Sequence, residues 1–295
     1  MELNPVASCY VDLGVPVHVA DYGGSGDPIV LVHGLGGSHV NWAAVGQSLS
    51  GYGHVTALDL PGFGLSPLFD SAAGLFDNRD FLDRYLRSLG RPVTLIGNSM
   101  GGTLSMMQAA VAPETVDRLV LVSPAAPFLS QVRPDPLVAA WFAAYLVPGL
   151  GHLLVSGRRA LVDPARVARL ILDLCAARSN RIAPEVVAQH VSLAERRQYL
   201  AGIDDAFLRA VRTLLAFVGR SREFDEYVAA ITAPTLIVHG DRDRLVPAAA
   251  ARRLGALRPD WEVEILADVG HIAMLEVPAT FVDLVGGWIG RSVAA

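Results

Sequence analysis

The stretch Pro92-Val-Thr-Leu-Ile-Gly-Asn-Ser-Met-Gly-Gly102 decides how this chain is to be read. Val93 to Ile96 is a short apolar run of the buried-strand kind, and Thr103 to Ala112 is a run of helix formers closed by Pro113. Between them, Gly97-Asn98-Ser99-Met100-Gly101 spells G-x-S-x-G. A strand that turns at once into a helix brings its backbones too close for large side chains two residues either side of the serine. Such a turn strains Ser99, lifts its hydroxyl clear and points the Met100 N–H at whatever the serine attacks. Taken alone the pattern has a bland alternative: in a chain with 28 glycines, a strand-to-helix turn where glycine merely allows packing. The surroundings decide between the two.

Upstream, Val11 to Ala20 reads as one or two opening strands, with Asp21 to Pro28 as the turn that follows. Ile29 to His33 is a continuous apolar run suited to a strand covered on both faces, and it ends in Gly34-Leu35-Gly36-Gly37. If that loop lies beside Ser99, the N–H of Leu35 joins that of Met100 as an oxyanion hole. The bland reading is a flexible turn or a phosphate loop, but neither G-x-x-x-x-G-K-[ST] nor G-x-G-x-x-G is present there. Ser38 to Ser50 predicts a short helix, His54 to Asp59 a strand, Leu60 to Ser66 an irregular loop and Leu75 to Leu89 an amphipathic helix. Val116 to Val122 is another buried-type strand. Strand and helix alternate, which implies an α/β fold: a mostly parallel, doubly wound sheet with helices on both faces.

From Ala125 to about Tyr227 that rhythm stops. Helical stretches appear at Leu137 to Val147, Pro164 to Ala177, Pro184 to Tyr199 and Asp204 to Val218, and no clear strand does. The expected organisation is a core domain of residues 1–124 and 228–295 with a helical cap, 125–227, inserted into it. Strand rhythm resumes at Pro234 to His239, with a helix near Ala248 to Leu257, a strand at Val263 to Leu266 and a last helix from Pro278 to Ile289. Leu137 to Gly157 has a bilayer's length, yet Pro148, Gly149, Gly151 and Gly157 break it and no basic cluster precedes it. A cap helix over an apolar pocket, with Trp141 and Phe142 as lining or cap core, is the preferred account; contact of the cap with membrane or lipid is a further expectation.

Composition narrows the classes. Residues are 52% hydrophobic and 18% charged, so the chain is globular, and 24 basic against 29 acidic residues give a net charge of -5. With no Lys/Arg cluster on an aromatic platform, a nucleic-acid partner is not expected. Cys9 and Cys175 form no disulfide framework and no C-x-x-C, so no zinc site is expected and the pair fits a reducing compartment. Met1 to Tyr10 lacks the basic-then-apolar order of a secretory leader, so a cytoplasmic location, with membrane association through the cap as its variant, is the expectation.

A serine hydroxyl is a poor nucleophile at neutral pH and needs a base in hydrogen-bond reach, oriented by a carboxylate. Of eight histidines, His271 stands out: it follows an apolar strand, sits in a Gly-His step and lies after the last acidic loop. His33 and His239 adjoin strand ends and suit loop-holding hydrogen bonds; His18, His39, His54, His152 and His190 have no supporting context. For the carboxylate, Gly240-Asp-Arg-Asp-Arg-Leu-Val-Pro247 offers Asp241 and Asp243, with Asp243 preferred; the bland reading makes both solvated loop groups paired with Arg242 and Arg244. Val246 and Ile272, next to the acid and the base, are expected in the pocket wall. The chain order Ser99, Asp243, His271 matches one known arrangement and neither protease order.

Together these motifs resemble the α/β-hydrolase family: His33-Gly-Leu-Gly-Gly37, Asp59-Leu-Pro-Gly-Phe-Gly-Leu-Ser66, Gly97-Asn-Ser-Met-Gly101, Gly240 to Pro247 and Gly270-His-Ile-Ala-Met-Leu-Glu-Val-Pro278 occur in order. The resemblance covers Val11 to about Ser123 and Ala233 to the end. It implies Asp243 as acid, His271 as base and Leu35 and Met100 as oxyanion donors, with no cofactor. Dehalogenases and epoxide hydrolases of this fold place an aspartate where Ser99 stands, so those chemistries are not expected. Carbon–carbon hydrolases of ring-cleavage products resemble the chain at Gly97 to Gly102 but usually carry a tryptophan after the catalytic histidine, where Ile272 stands. The expected function is a serine esterase or lipase-like hydrolase of a small apolar ester. The alternatives are a carbon–carbon hydrolase and a ligand-sensing homologue that turns over slowly.

Overall fold

Alternate residues of the central strands face opposite ways and are buried on both sides, which is what a sheet sandwiched between helices requires. In the computed structural model, which describes residues 5–69, 73–128 and 135–291, β3 (Pro28–Val32) shows this directly. Val30 and Val32 enter one core cluster, with Leu82, Leu95 and Leu104, while Ile29 and Leu31 enter another, with Trp42, Val120 and Phe281. Eight strands among the described residues form one sheet in the order β1-β2-β4-β3-β5-β6-β7-β8. β1 (Ala7–Asp12), β2 (Pro16–Gly23) and β4 (His54–Leu58) pair antiparallel in turn. β3, β5 (Val93–Asn98), β6 (Val116–Val122), β7 (Thr235–Gly240) and β8 (Glu262–Leu266) extend from β4 in parallel.

The parallel, doubly wound expectation holds, with an antiparallel hairpin at one edge. Val11 to Ala20 was the expected opening; the two strands instead run from Ala7 to Gly23 and turn at Gly14, whose φ is 83°. β1 is mostly exposed, so its sequence carries no inward-outward alternation to read.

Short α1 (Gly46–Leu49) precedes β4, α2 (Leu75–Ser88) precedes β5 and α3 (Met100–Val111) follows it. Between β6 and β7 come α4 (Pro136–Leu146), α5 (Leu150–Leu161), α6 (Pro164–Cys175), α7 (Pro184–Arg197), α8 (Ile203–Val218) and α9 (Ser221–Ala230). Residues 129–134, inside the segment read as a cap, lie outside the described residues, as do the first four of Met1 to Tyr10. After β7 follow α10 (Ala249–Leu257), the single turn α11 (Ala273–Glu276) and α12 (Pro278–Gly290). The inserted helices have one small core of their own, Tyr145, Val155, Leu208 and Val211. Leu172 and Val186 instead join the cluster of Trp42, while Leu214, Phe217 and Phe224 join that of α2 and α3.

No single described helix is long and apolar enough to cross a membrane. α4 and α5 satisfy length and composition only as a pair, and they are bent by 110° at their junction.

Candidate active site

The turn between β5 and α3 has the backbone its sequence predicts. Ser99 sits at φ 55°, ψ -117°, a conformation that costs a side chain about 1–3 kcal/mol and persists only where neighbours over-determine it. They do here. The Ser99 N–H donates to Val122 O at 2.9 Å, and Ser99 O accepts the N–H groups of Thr103 at 3.0 Å and Ala125 at 3.1 Å. The flanking glycines are obligatory, because a Cβ on Gly97 would strike Gly101 O and one on Gly101 would strike Val32 O.

Ser99 remains half-buried, and the loop after β3 approaches it: a Cβ on Gly34 would lie 3.0 Å from Ser99 Cβ. That loop is a tight turn in which Gly37 N–H donates to Gly34 O at 3.0 Å and Gly36 takes φ 72°. The turn is closed by the Gly37 N–H alone, which leaves the N–H of Leu35 unused inside it. Neither Leu35 N–H nor Met100 N–H donates to another group among the described residues. The Met100 N–H stands at the N-terminus of α3, whose dipole favours negative charge, and the loop that carries the Leu35 N–H adjoins Ser99 through Gly34.

His271 is brought to the same end of the sheet. Its backbone carbonyl accepts from Asn98 Nδ2 at 3.2 Å, so the residue before Ser99 is tied to the histidine, and Asn98 Nδ2 also donates to Val122 O at 3.1 Å. On the ring, Nδ1 lies 2.7 Å from Asp243 Oδ2. The other oxygen, Asp243 Oδ1, accepts the N–H groups of Leu245 and Val246, each at 2.9 Å. Burial by itself would raise the Asp243 pKa; the charge interaction with His271 and hydrogen bonds from His239 and His271 outweigh it and hold the carboxyl well below the usual range. Asp241 is placed differently. It is exposed and accepts the Asp268 N–H at 2.7 Å, a bond that shapes the loop and does not reach the imidazole.

His33 and His239 are loop holders. His33 Nδ1 donates to Gly34 O at 2.7 Å and its Nε2 accepts from Leu60 N–H at 3.1 Å, and full burial pushes its pKa down to about 4. His239 Nε2 donates to Val246 O at 2.9 Å and lies 3.3 Å from Asp243 Oδ2.

Two groups of site-supporting residues were not singled out from the sequence. Glu276 is almost fully buried and its carboxylate accepts three backbone N–H groups: Gly270 at 2.9 Å, Ala177 at 3.1 Å and Arg178 at 3.0 Å. With His271 N–H donating to Cys175 O at 2.7 Å, it fastens the histidine loop to the segment that leaves α6. The Glu-x-Pro after the Gly-His step was the available signal. Asp59 is the second. Its Oδ2 faces His18 Nδ1 and His39 Nδ1, both at 2.8 Å, and accepts Leu65 N–H at 2.8 Å, while Oδ1 accepts His39 N–H at 2.6 Å. His18, His39 and Asp59 offer three ligand atoms within 4.8 Å of one another. Both ring nitrogens, however, stand at N–H···O distance from one oxygen that a backbone N–H already uses. The arrangement is that of a hydrogen-bonded carboxylate locking the loop after β4.

The expected pocket walls fare unevenly. Trp141 is not enclosed: the residue is 43% exposed, at the edge of the face on which α4 buries Val138 and Tyr145, with 6.2 Å between its ring centre and that of Tyr145. Phe142 is half-buried and meets Tyr145 edge-on, 6.4 Å between ring centres. Ile272 points into the cluster of Trp42 and Met274 and is core, while Val246 is half-buried against the opposite cluster.

Comparison with known proteins agrees with the fold. The model of the alpha/beta hydrolase family matches residues 29–284. The chain is similar to the dihydrolipoyllysine-residue acetyltransferase component of an acetoin cleaving system from Pseudomonas putida, 30% identical over 264 residues. That alignment covers 86% of this chain but 61% of the relative, so the chain spans less than two thirds of that protein's length. It is also similar to a 2-hydroxy-6-oxononadienedioate/2-hydroxy-6-oxononatrienedioate hydrolase from Klebsiella pneumoniae subsp. pneumoniae, 29% identical over 285 residues, covering 94% of this chain and 91% of that one. Among solved structures, the haloalkane dehalogenase DatA from Agrobacterium tumefaciens C58 superposes with a TM-score of 0.81 at 22% identity, covering 97% of this chain and 96% of its own, a likeness of fold.

Proposed function

The chain belongs to the alpha/beta hydrolase family, and within it we propose that this protein is a serine hydrolase that cleaves a carboxylic ester with an apolar acyl or alcohol part. One observation carries the reading: His271 Nδ1 is committed to the buried Asp243 carboxylate at 2.7 Å. An imidazole whose Nδ1–H is held this way keeps Nε2 unprotonated and free to act as a base. Ser99 Oγ attacks the ester carbonyl while His271 Nε2 takes the hydroxyl proton. The N–H groups of Leu35 and Met100 take up the charge that develops on the carbonyl oxygen. His271 returns the proton to the departing alcohol, leaving an acyl group on Ser99, and water enters by the same route to release the acid. The inserted helices of residues 125–227 serve as the cap that selects the substrate, and the route needs no metal or cofactor.

A series of p-nitrophenyl esters from acetate to decanoate tests the proposal: turnover is expected on the series and lost in Ser99→Ala. A protein labelled at Ser99 by a fluorophosphonate that turns over none of these esters would overturn it, in favour of a ligand-sensing homologue.

A second reading, hydrolysis of a carbon–carbon bond in a ring-cleavage product, is favoured by the Klebsiella relative, which aligns along 94% of this chain. Against it stands Ile272, where such hydrolases usually carry a tryptophan. Measured kcat/KM on a 2-hydroxy-6-oxo-dienoic acid and on an aryl ester of similar size separates the two. A preference for the dienoic acid of more than about a hundredfold, roughly 2.7 kcal/mol in the transition state, selects the second reading.

A further inference from the structure

α4 and α5 leave an apolar stripe uncovered. Leu137 and Trp141 share the outer face of α4, Val147 and Leu150 lie at the bend, and Leu153 and Leu161 continue the stripe along α5 at helical spacing. Leu153 is 69% and Leu161 86% exposed, in a protein whose other large apolar residues are mostly enclosed.

Charge on the same helices is opposite in sign to the whole. From α4 through α6 there are four arginines, Arg158, Arg159, Arg166 and Arg169, against Asp163 and Asp173. The neighbouring Asp204, Asp205, Arg209 and Arg212 of α8 leave that excess unchanged, in a chain with a net charge of -5. Arg159 is spoken for by Asp204 at 2.9 Å, and Asp205 lies 2.9 Å from His152. Asp135, which caps α4, is paired with Arg244 at 2.9 Å. Arg166 and Arg169 make no ion pair among the described residues and stand exposed in the first two turns of α6, which begins three residues past Leu161.

We propose that the α4–α5 face docks on the surface of an anionic lipid bilayer, with Trp141, Leu153 and Leu161 entering the headgroup boundary and Arg166 and Arg169 meeting the lipid phosphates. Exposed apolar side chains and an exposed tryptophan, followed a few residues along the chain by arginines without an ion pair among the described residues, form the chemistry that an anionic interface recognises. A second copy of the chain is the poorer occupant, because a two-fold contact through this face sets its positive excess against itself. The helices lie on the membrane in this arrangement; neither alone is long and apolar enough to cross it, and the two are bent by 110° at their junction. The inference goes beyond the hydrolase reading and does not rest on it.

The natural reporter is already in place. Trp42, Trp261 and Trp288 are buried, so of the four tryptophans Trp141 is the exposed one whose emission responds to a bound surface. The full chain is mixed with vesicles of phosphatidylcholine alone and with 30% phosphatidylglycerol, and followed by co-sedimentation and tryptophan emission. Binding to the anionic vesicles, a blue shift, and partition at least roughly tenfold stronger than to neutral vesicles and weakened by salt are expected. Leu153→Glu/Leu161→Glu should abolish this while turnover of a short-chain, water-soluble ester stays as in the unmodified protein. Arg166→Gln/Arg169→Gln should remove the anionic preference alone, and it carries the test should the first variant fail to fold. Co-sedimentation with neither vesicle, or undiminished binding by these variants, overturns the proposal. So does a dimer in light scattering that Leu153→Glu/Leu161→Glu disperses, since that assigns the face to a second copy. Vesicle binding is read on folded protein whether or not any ester is cleaved, so its failure and that of the hydrolase reading are distinguishable.

Discussion

The sheet and the helices inserted into it are built to different standards. All five residues of β3 and all six of β5 are buried, whereas α4, at eleven residues, buries Val138 and Tyr145. The difference is one of function as much as of stability. Where every neighbour is fixed, a strained serine, a buried carboxylate and an imidazole can each be held by several hydrogen bonds: Ser99 by the backbones of Val122, Thr103 and Ala125, Asp243 by those of Leu245 and Val246, and His271 by Cys175 O and Asn98 Nδ2. Where two residues in eleven are fixed, the helix is free to present its other faces to a substrate or a surface.

Four measurements break or sharpen that contrast. The largest effect is expected at the most constrained residue: Ser99→Ala should lower kcat by about a millionfold with the fold intact, read by ester turnover alongside circular dichroism. Next, Asp243→Asn should cost about ten-thousandfold in kcat through the wrong imidazole tautomer, while Asp241→Asn should stay within a few-fold. Equal losses would mean that the acid had been misassigned. Third, Leu31→Ala, fully buried, should lose about 2–5 kcal/mol in urea unfolding, against within about 0.5 kcal/mol for Leu153→Ala. A loss above about 1 kcal/mol at Leu153 would show that α5 is packed as tightly as a strand.

The smallest effect concerns pH. Burial holds the folded-state His33 pKa at about 4, below the unfolded value of about 6.5, so between those values the unfolded chain binds the extra proton. Stability then falls as pH is lowered through that window, by about 1.4 kcal/mol per unit from this group. Asp59 and Asp243, held below the ordinary carboxylate range, add their loss only under more acidic conditions. Melting temperatures of the protein and of His33→Gln from pH 7 to pH 4.5 should converge as the pH falls. Parallel curves would assign the slope elsewhere.

Much of this was legible in the sequence because it depends on neighbours along the chain. β3, β5, β6 and β7 announce themselves as apolar runs, and the turn at Ser99 by glycines whose absent side chains are needed within two residues. Asp241 and Asp243 follow the same strand, so local pattern does not separate them; the choice of Asp243 comes from the resemblance of Gly240 to Pro247 to the family's G-D-x-D loop, and in the structure it is Asp243 that lies 2.7 Å from His271 Nδ1. α5 was missed because Gly151 and Gly157 read as breaks, whereas in the structure a Cβ on Gly151 would crowd Tyr145 O and the second glycine faces open space. Trp141 was placed inward because apolar content does not say which side of a helix finds a partner. His18 and His39 had no local context at all: their partner Asp59 lies 41 and 20 residues away, and only the sheet order brings the three together.

The Glu276 carboxylate deserves a last consequence. It holds the nitrogen just ahead of the imidazole and two nitrogens midway along the inserted helices, between α6 and α7, with the same pair of oxygens. The inserted helices and the histidine loop are therefore not mechanically separable in this protein. Any lengthening, shortening or exchange of the inserted helices that shifts the chain near residue 177 tugs on the loop that carries His271, so a transplanted insert must reproduce that anchorage.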